Sequence, residues 1–274
     1  MSKLIITLTS VPPRYSKIGP TLQSLLAQNA AVSGIYLYIP DHYKRFPDWN
    51  GTLPKVPKGV EIRRTPLDLG PATKVLPASQ EFAGQDVDIL FCDDDRIYAP
   101  GWAAEFLRAK RNKPGCAITK RGLSASGLVG TTDVRKLQPR AVRRPVKMDV
   151  EFHAKRLLTR VTGGGAPERR LFRRSGYVDM FEGCSGVLVR PEFFDDAAFD
   201  IPKVAWLVDD VWLSGILAKN DIGIWLVANT LTPKNTDAQQ QAPLAAEVVN
   251  GDGRHKINQA AVRHVQQTFG VWLG

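Results

Sequence analysis

The chain has 274 residues, 43% of them hydrophobic, and a formal net charge of +10. That length accommodates one large α/β domain or two small ones with a sizeable core, and the composition excludes a disordered or fibrous chain. No apolar run approaches the about 18 residues of a membrane helix, and Met1-Ser2-Lys3 passes straight into a strand, so a soluble protein folding in the cytoplasm is expected.

Cys92, Cys116 and Cys184 are too few and too widely spaced for a disulfide framework or a zinc site. The positive charge is segregated. Residues 108–174 carry 19 Lys and Arg against 4 Asp and Glu, a surplus of 15 that leaves the rest of the chain at −5. Such a segment draws anions, whether a membrane leaflet, a phosphorylated acceptor or nucleic acid; a merely solvated surface is the alternative.

In chain order, residues 4–8 form a continuous apolar run that predicts a central strand of a parallel sheet. Thr9 to Tyr15 follow as a loop in which Pro12 and Pro13 forbid further pairing. The spacing of Leu22, Leu25 and Leu26 predicts a helix over residues 21–28, and residues 35–39 and 60–64 read as strands, separated by a loop with Tyr43, Phe46 and Trp49. Residues 68–74 turn through Gly70-Pro71 into a helix. Lys74 in its first turn either faces an anion bound at the helix N-terminus or stands exposed.

The most informative stretch is Asp88-Ile89-Leu90-Phe91-Cys92-Asp93-Asp94-Asp95, a buried strand that ends in three carboxylates where parallel sheets bind ligands. Adjacent like charges need a compensating cation, and carboxylate oxygens suit a hard ion, Mg²⁺ or Mn²⁺. An acidic loop capping the helix that opens at Pro100-Gly101-Trp102 is the alternative. Asp94 should point away from its two neighbours and tolerate an amide.

A helix over residues 102–111 and a strand over 116–119 continue an alternation that predicts a parallel, doubly wound half. Residues 120–176 break it with Pro, basic clusters and Gly163-Gly164-Gly165, which reads as a hinge; the segment is a mobile lid or a patch with small elements of its own. Strands resume at 177–182 and 187–190 around Gly183-Cys184-Ser185-Gly186, a ligand approach or a tight bulge. Asp209 and Asp210 open an apolar helix, where desolvation raises the pKa of one and suits it to proton transfer; a cap would need only one of them. A strand over 222–227 and a helix over 254–269 complete the chain, with His255 following the polar loop Asn250-Gly251-Asp252-Gly253.

Asp93-Asp94-Asp95, then Gly183-Cys184-Ser185-Gly186, then Asp209-Asp210-Val211-Trp212 together resemble, over roughly residues 1–229, the GT-A glycosyltransferases of Asp-x-Asp type. The resemblance implies an α/β fold: a Rossmann-type, mostly parallel sheet flanked by helices, with a smaller acceptor-side mixed sheet. It implies one domain over 1–274, comprising a nucleotide-sugar half (1–119), a basic insert or lid (120–176) and an acceptor-side half with a C-terminal helix (177–274). The implied activity is metal-dependent, inverting transfer of a sugar, from a UDP-sugar foremost, to a hydroxyl of a glycan or lipid-linked acceptor, as in bacterial-type surface polysaccharide assembly.

On this resemblance Thr9, Pro12, Arg14, Lys74, Asp93 and Asp94 hold the donor, and Asp93, Asp95 and His255 hold Mn²⁺ or Mg²⁺. Gly183, Cys184, Ser185, Gly186 and Trp212 face the acceptor, and Asp209 or Asp210 is the base; the family pair is more commonly Glu-Asp, so which acid acts stays open. Residues 108–174 would touch an anionic membrane peripherally, on its inner face. A metal-dependent nucleotidyltransferase usually carries a Gly-rich loop after its first strand, which residues 9–15 lack. A nucleic-acid-binding module is disfavoured because it leaves both acidic sites idle. No pattern encodes the oligomeric state.

Overall fold

A computed structural model describes residues 2–130, 137–163, 169–242 and 254–273. The first half alternates as β1 (Lys3–Thr9), α1 (Gly19–Leu26), β2 (Val32–Pro40), β3 (Val60–Thr65), α2 (Leu76–Glu81) and β4 (Val87–Phe91). The middle contains β5 (Arg96–Ile97), α3 (Trp102–Asn112), β6 (Ala117–Thr119), β7 (Gly122–Leu123), α4 (Ser126–Val129), β8 (Val142–Arg143), α5 (Val150–Thr162) and β9 (Phe172–Arg174). The last third adds β10 (Gly176–Val178), β11 (Met180–Phe181), β12 (Val187–Val189), α6 (Asp209–Lys219), β13 (Ile224–Leu226), β14 (Lys234–Asn235) and α7 (Arg254–Phe269).

One eight-stranded sheet runs in the order β10-β13-β6-β12-β4-β1-β2-β3. The run β4-β1-β2-β3 is parallel throughout, β12 is antiparallel to both of its neighbours, β13 is parallel to β6, and β10 is an antiparallel edge. The smaller acceptor-side mixed part is the far half of this sheet. Its short strands β6, β12 and β13 extend the ladder from β4, and among the described residues the two-stranded pairs β7–β11, β8–β9 and β5–β14 stand apart.

Alternating side chains of the central strands feed two cores. Ile5, Ile89 and Phe91 meet α2, α6 and α7 on one face. Leu4, Ile6, Leu8 and Leu90 meet α1 and α3 on the other. This is the period-two burial of a sheet covered on both sides. Asp88 is buried within β4, where Lys110 of α3 and Ser2 satisfy its carboxylate.

The chain leaves β1 toward β2 on one side and reaches β4 on the other, so a crevice opens beyond the carboxyl ends of β1 and β4. Residues 120–176 are not a structureless lid: where described, they form β7, α4, β8, α5 and β9, with β8 and β9 paired. Gly163 caps α5 in the left-handed conformation, while Gly164, Gly165 and the loop 250–253 lie outside the described residues. No helix among the described residues is long and apolar enough to cross a membrane.

Candidate active site

A cavity of about 400 Å³ occupies the crevice beyond β1 and β4, a size ordinary for small-ligand sites. Three walls come from elements that the topology brings together: the loop after β1 (Thr9, Ser10, Val11, Arg14), the acids after β4 (Asp93, Asp94, Asp95, Arg96) and the start of α6 (Asp209, Asp210). Lys74 lies among them. The segment Gly70–Lys74 is a 3-10 turn preceding α2, so Lys74 ends that turn rather than opening a helix, and it is buried rather than exposed.

Its ammonium joins the two acidic motifs. Lys74 Nζ stands 2.9 Å from Asp93 Oδ1 and 3.0 Å from Asp209 Oδ2. Burial opposes the charge, but Asp209, Asp93 and Asp210 outweigh it and hold the Lys74 pKa well above its ordinary value. For Asp93, burial pushes the pKa up and Lys74 more than reverses it, leaving the carboxyl below its ordinary value.

The cation demanded by adjacent carboxylates is thus partly supplied by the chain itself. Asp94 faces the loop after β1: it accepts from Ser10 Oγ at 2.5 Å and from Arg14 Nη1 at 2.6 Å, and its carbonyl accepts from Thr21 Oγ1. It turns away from Lys74, is 3% exposed and anchors the loop after β1 through these bonds. The expected effect of Asp94→Ala, which removes the nearest carboxylate from the half-buried Arg14 guanidinium and the acceptor of Ser10 Oγ, is a loss of about 3 kcal/mol, or roughly 6–12 °C in melting temperature. An unchanged thermal melt would show that Asp94 anchors nothing.

Asp95 is the least compensated of the three. Arg14 Nη1 is 3.5 Å from its Oδ2 and Arg96 Nε is 3.2 Å from Oδ1, but the buried Oδ1 has no aligned hydrogen bond. Burial, then Asp93 and Asp94, push its pKa up to about 6 against the pull of Arg96 and Arg14. The acids do not cap α3, because β5 intervenes.

On the opposite wall, Asp210 receives the Gly183 N–H on both carboxylate oxygens, at 3.1 and 3.2 Å. Burial and the neighbouring charge of Asp209 push its pKa up to about 8, with Lys74 opposing. A side chain at Gly183 would displace the site's own groups, since a Cβ would stand 2.9 Å from Lys74 Nζ and 3.0 Å from Asp210 Oδ1. Gly186 closes the same 3-10 turn at φ 89°, with Trp102 pressed against it. Cys184 lines the cavity as a neutral thiol, its pKa raised to about 11 by burial.

Several expected site residues lie elsewhere. Trp212 does not line the cavity: it is 3% exposed, donates from Nε1 to the Ala198 carbonyl and packs on Phe269, because α6 is apolar on all sides and buried. The aromatic wall is Trp206 instead, six residues earlier. Ser185 and Gly186 face Trp102 rather than the cavity, the Ser185 carbonyl accepting from Trp102 Nε1. Pro12 shapes the 3-10 turn after β1 without lining the cavity, and Thr9 lines it while donating to the Tyr38 carbonyl.

His255 is exposed in the first turn of α7, a helix fixed against α6 by Ile257, Ala261, Val262 and Val265. Among the described residues, no group of three His, Cys, Asp or Glu side chains is arranged to hold a metal ion, so the trio Asp93, Asp95 and His255 is not assembled.

Two contributions had no clear signal in the sequence. The aromatic loop after β2 supports the β1 loop from below, with Tyr43 OH donating to the Ser10 carbonyl and Tyr43 packed on Trp49. Residues 234–242 cross the cavity mouth: β14 pairs with β5, Thr236 N donates to the Asp95 carbonyl, and Arg14 Nε donates to the Gln241 carbonyl. Asp68, Arg45, Arg121 and Glu182 complete the lining, which totals seven carboxyl groups against five cations.

No family model and no curated protein sequence matches this chain. Among solved structures, the chain is similar to "S. aureus TarS 1-349" at 11% identity, covering 98% of this chain and 72% of that one with a TM-score of 0.46. It is similar to a longer S. aureus TarS structure at 11% identity and TM-score 0.47, covering 97% of this chain but 44% of that one. A mycobacterial protein aligns at 12% identity over 98% of this chain and 76% of its own, with a TM-score of 0.47. Likenesses this distant leave the chemistry of the cavity to its own residues.

Proposed function

We propose that the protein is a GT-A-type glycosyltransferase that moves a sugar from a nucleotide-diphosphate sugar to a hydroxyl of a glycan or lipid-linked acceptor, with inversion. One observation carries this reading: a single cavity at the switch point of the sheet unites the strand-end acids with the pair Asp209-Asp210, bridged by Lys74. A strand-end acid cluster facing a second, proton-accepting acid is what donor activation and acceptor deprotonation require together.

The electrostatics support a divalent cation as the donor's companion. Seven carboxyl groups against five cations do not attract a diphosphate unaided. Asp93 and Asp95 fit Mg²⁺ or Mn²⁺ in the manner of ions held by one or two carboxylates and completed by substrate phosphates and water. Asp95 Oδ1, buried beside Arg96 without an aligned hydrogen bond, is the oxygen open to such a bond. When bound, the ion would neutralise charge on the diphosphate leaving group.

The chain's own residues do the rest. Arg14 and Arg96 stand beside the acids and add positive charge at the diphosphate. Lys74 fixes Asp93 and Asp209 in place. Asp210, with no ion pair of its own among the described residues and its oxygens held by Gly183 N–H, accepts the proton of the acceptor hydroxyl as the oxygen attacks the anomeric carbon. The nucleoside diphosphate leaves from the opposite face of the sugar, which inverts the centre. Nucleoside diphosphates tested singly by thermal shift with Mn²⁺ present, UDP foremost, should each be ranked against the protein with Mn²⁺ alone. A rise of several degrees with one base is expected, and no rise with any nucleotide would overturn the reading.

A further inference from the structure

Helix α5 turns its apolar side to solvent. Val161, Leu157 and Leu158 are 80%, 65% and 63% exposed, the three most exposed large hydrophobic side chains among the described residues. Half-buried Phe152 and Thr159, seven residues apart, mark the face that lies on the body of the protein. Ala154, Leu157, Leu158 and Val161 follow one another at helical spacing on the opposite face. Arg156 and Arg160 flank this stripe on one side and Lys155 on the other. Val146, in the turn before the helix, is a further exposed apolar residue.

The presentation is anchored. Asp149 caps the helix by accepting from Phe152 N, and it is itself held by Arg169 Nε at 3.0 Å. The Arg169 guanidinium lies over the Phe152 ring, and α5 springs from the connection between the paired strands β8 and β9. A helix with its polar and aromatic side inward and its leucines outward is built to be covered by something else.

Charge selects the cover. Lys147 in the turn before the helix and Lys155, Arg156 and Arg160 on it are all exposed beside the apolar stripe. A second copy of the chain would bring the same positive patch against itself. Nucleic acid would answer the charge but leave Leu157, Leu158 and Val161 in water. An anionic lipid surface satisfies both, taking the apolar stripe into the headgroup boundary while Lys and Arg meet the phosphates. We propose that α5 docks the protein on an anionic membrane surface, lying in its plane with Leu157, Leu158 and Val161 inserted. This goes beyond the transfer reaction and does not depend on it.

Co-sedimentation of the full chain with vesicles of phosphatidylcholine alone, or of phosphatidylcholine and phosphatidylglycerol in equal parts, tests it. Binding to the anionic vesicles that weakens as salt is added is expected. Leu157→Gln/Val161→Gln, both at exposed positions and therefore leaving the thermal melt unchanged, should lower vesicle affinity about tenfold or more at constant charge. Arg156→Gln/Arg160→Gln should lower it by a similar factor. Wild-type vesicle binding by the Leu157→Gln/Val161→Gln variant, or equal binding of the native chain to neutral and anionic vesicles, would overturn the proposal. So would self-association of the native chain that this variant abolishes, which would assign the face to a second copy.

Discussion

Asp210→Asn is expected to lower the rate of sugar transfer by about 10²-fold or more while leaving donor affinity nearly unchanged, because a general base acts on the acceptor and the amide cannot take its proton. The fold should survive. The amide oxygen still accepts from Gly183 N–H, and the substitution removes a charge that burial and Asp209 already disfavour. Wild-type turnover should rise with pH toward about 8, where the Asp210 carboxyl ionises, and level off above it.

Stability runs the other way. The folded-state pKa of Asp210 is raised above its ordinary value, so its contribution is fully present below the unfolded pKa and is lost as pH rises toward about 8. The variant should therefore melt no lower than the wild type at pH 8. Rates of the two proteins measured across pH 5–9, each with its melting curve, separate the roles. A slow Asp210→Asn with an intact melt supports the base, and wild-type rates with wild-type pH dependence would reduce Asp210 to the first turn of α6.

Lys74→Met should be the most destabilising change in the cavity. It leaves Asp93, Asp209 and Asp210 facing one another without their shared ammonium, and removing one partner of a buried ion pair costs about 3–5 kcal/mol. For a chain of this size that is a fall of roughly 10 °C in melting temperature. The Lys74 pKa is raised in the fold, so its stabilisation is fully present below the unfolded value of 10.5 and is lost as pH rises through the folded value. The gap between variant and wild type should accordingly be widest from neutral pH to about 10. It should narrow in acid, where the opposing carboxylates become neutral. Added Mn²⁺ should restore part of the lost stability by replacing the missing positive charge. A variant that melts with the wild type at neutral pH would show that the two acidic motifs do not depend on the bridge.

Much of this arrangement was legible in the residues because it follows local rules. The unbroken apolar runs of β1 and β4 mark central parallel strands, and the carboxylates following β4 had to emerge at the carboxyl edge. Asp209-Asp210 at the head of an apolar helix likewise marked a desolvated pair. What was not legible depends on contacts distant in the chain. Nothing local to Lys74 says that its side chain reaches Asp209, 135 positions later; it read as a helix residue that either faces a bound anion or stands exposed. That Asp94 anchors the loop after β1 was not visible either, because its partners Ser10 and Arg14 belong to another part of the chain.

Trp212 and Trp206 illustrate the same limit. Both flank the acidic pair, and only the packing of α6 on α7 decides that Trp212 is core and Trp206 is cavity wall. The short strand β14, two residues long, has too little periodicity to be seen, yet it pins residues 234–242 across the cavity mouth. The outward stripe of α5 was not seen at all, because the Pro, Gly and basic clusters of residues 120–176 mask the helical spacing within them.

The account's central claim is that the donor's diphosphate is held in this cavity through a divalent ion on Asp93 and Asp95. Thermal shift of the wild type and of Asp95→Asn with UDP, with Mn²⁺ present or removed by EDTA, tests it most directly. Near-saturating nucleotide with Mn²⁺ should stabilise the wild type by about 2–3 kcal/mol, or roughly 5–10 °C, and EDTA should abolish the shift. Asp95→Asn should imitate EDTA. Equal stabilisation by UDP with and without the ion, in both proteins, would contradict the claim.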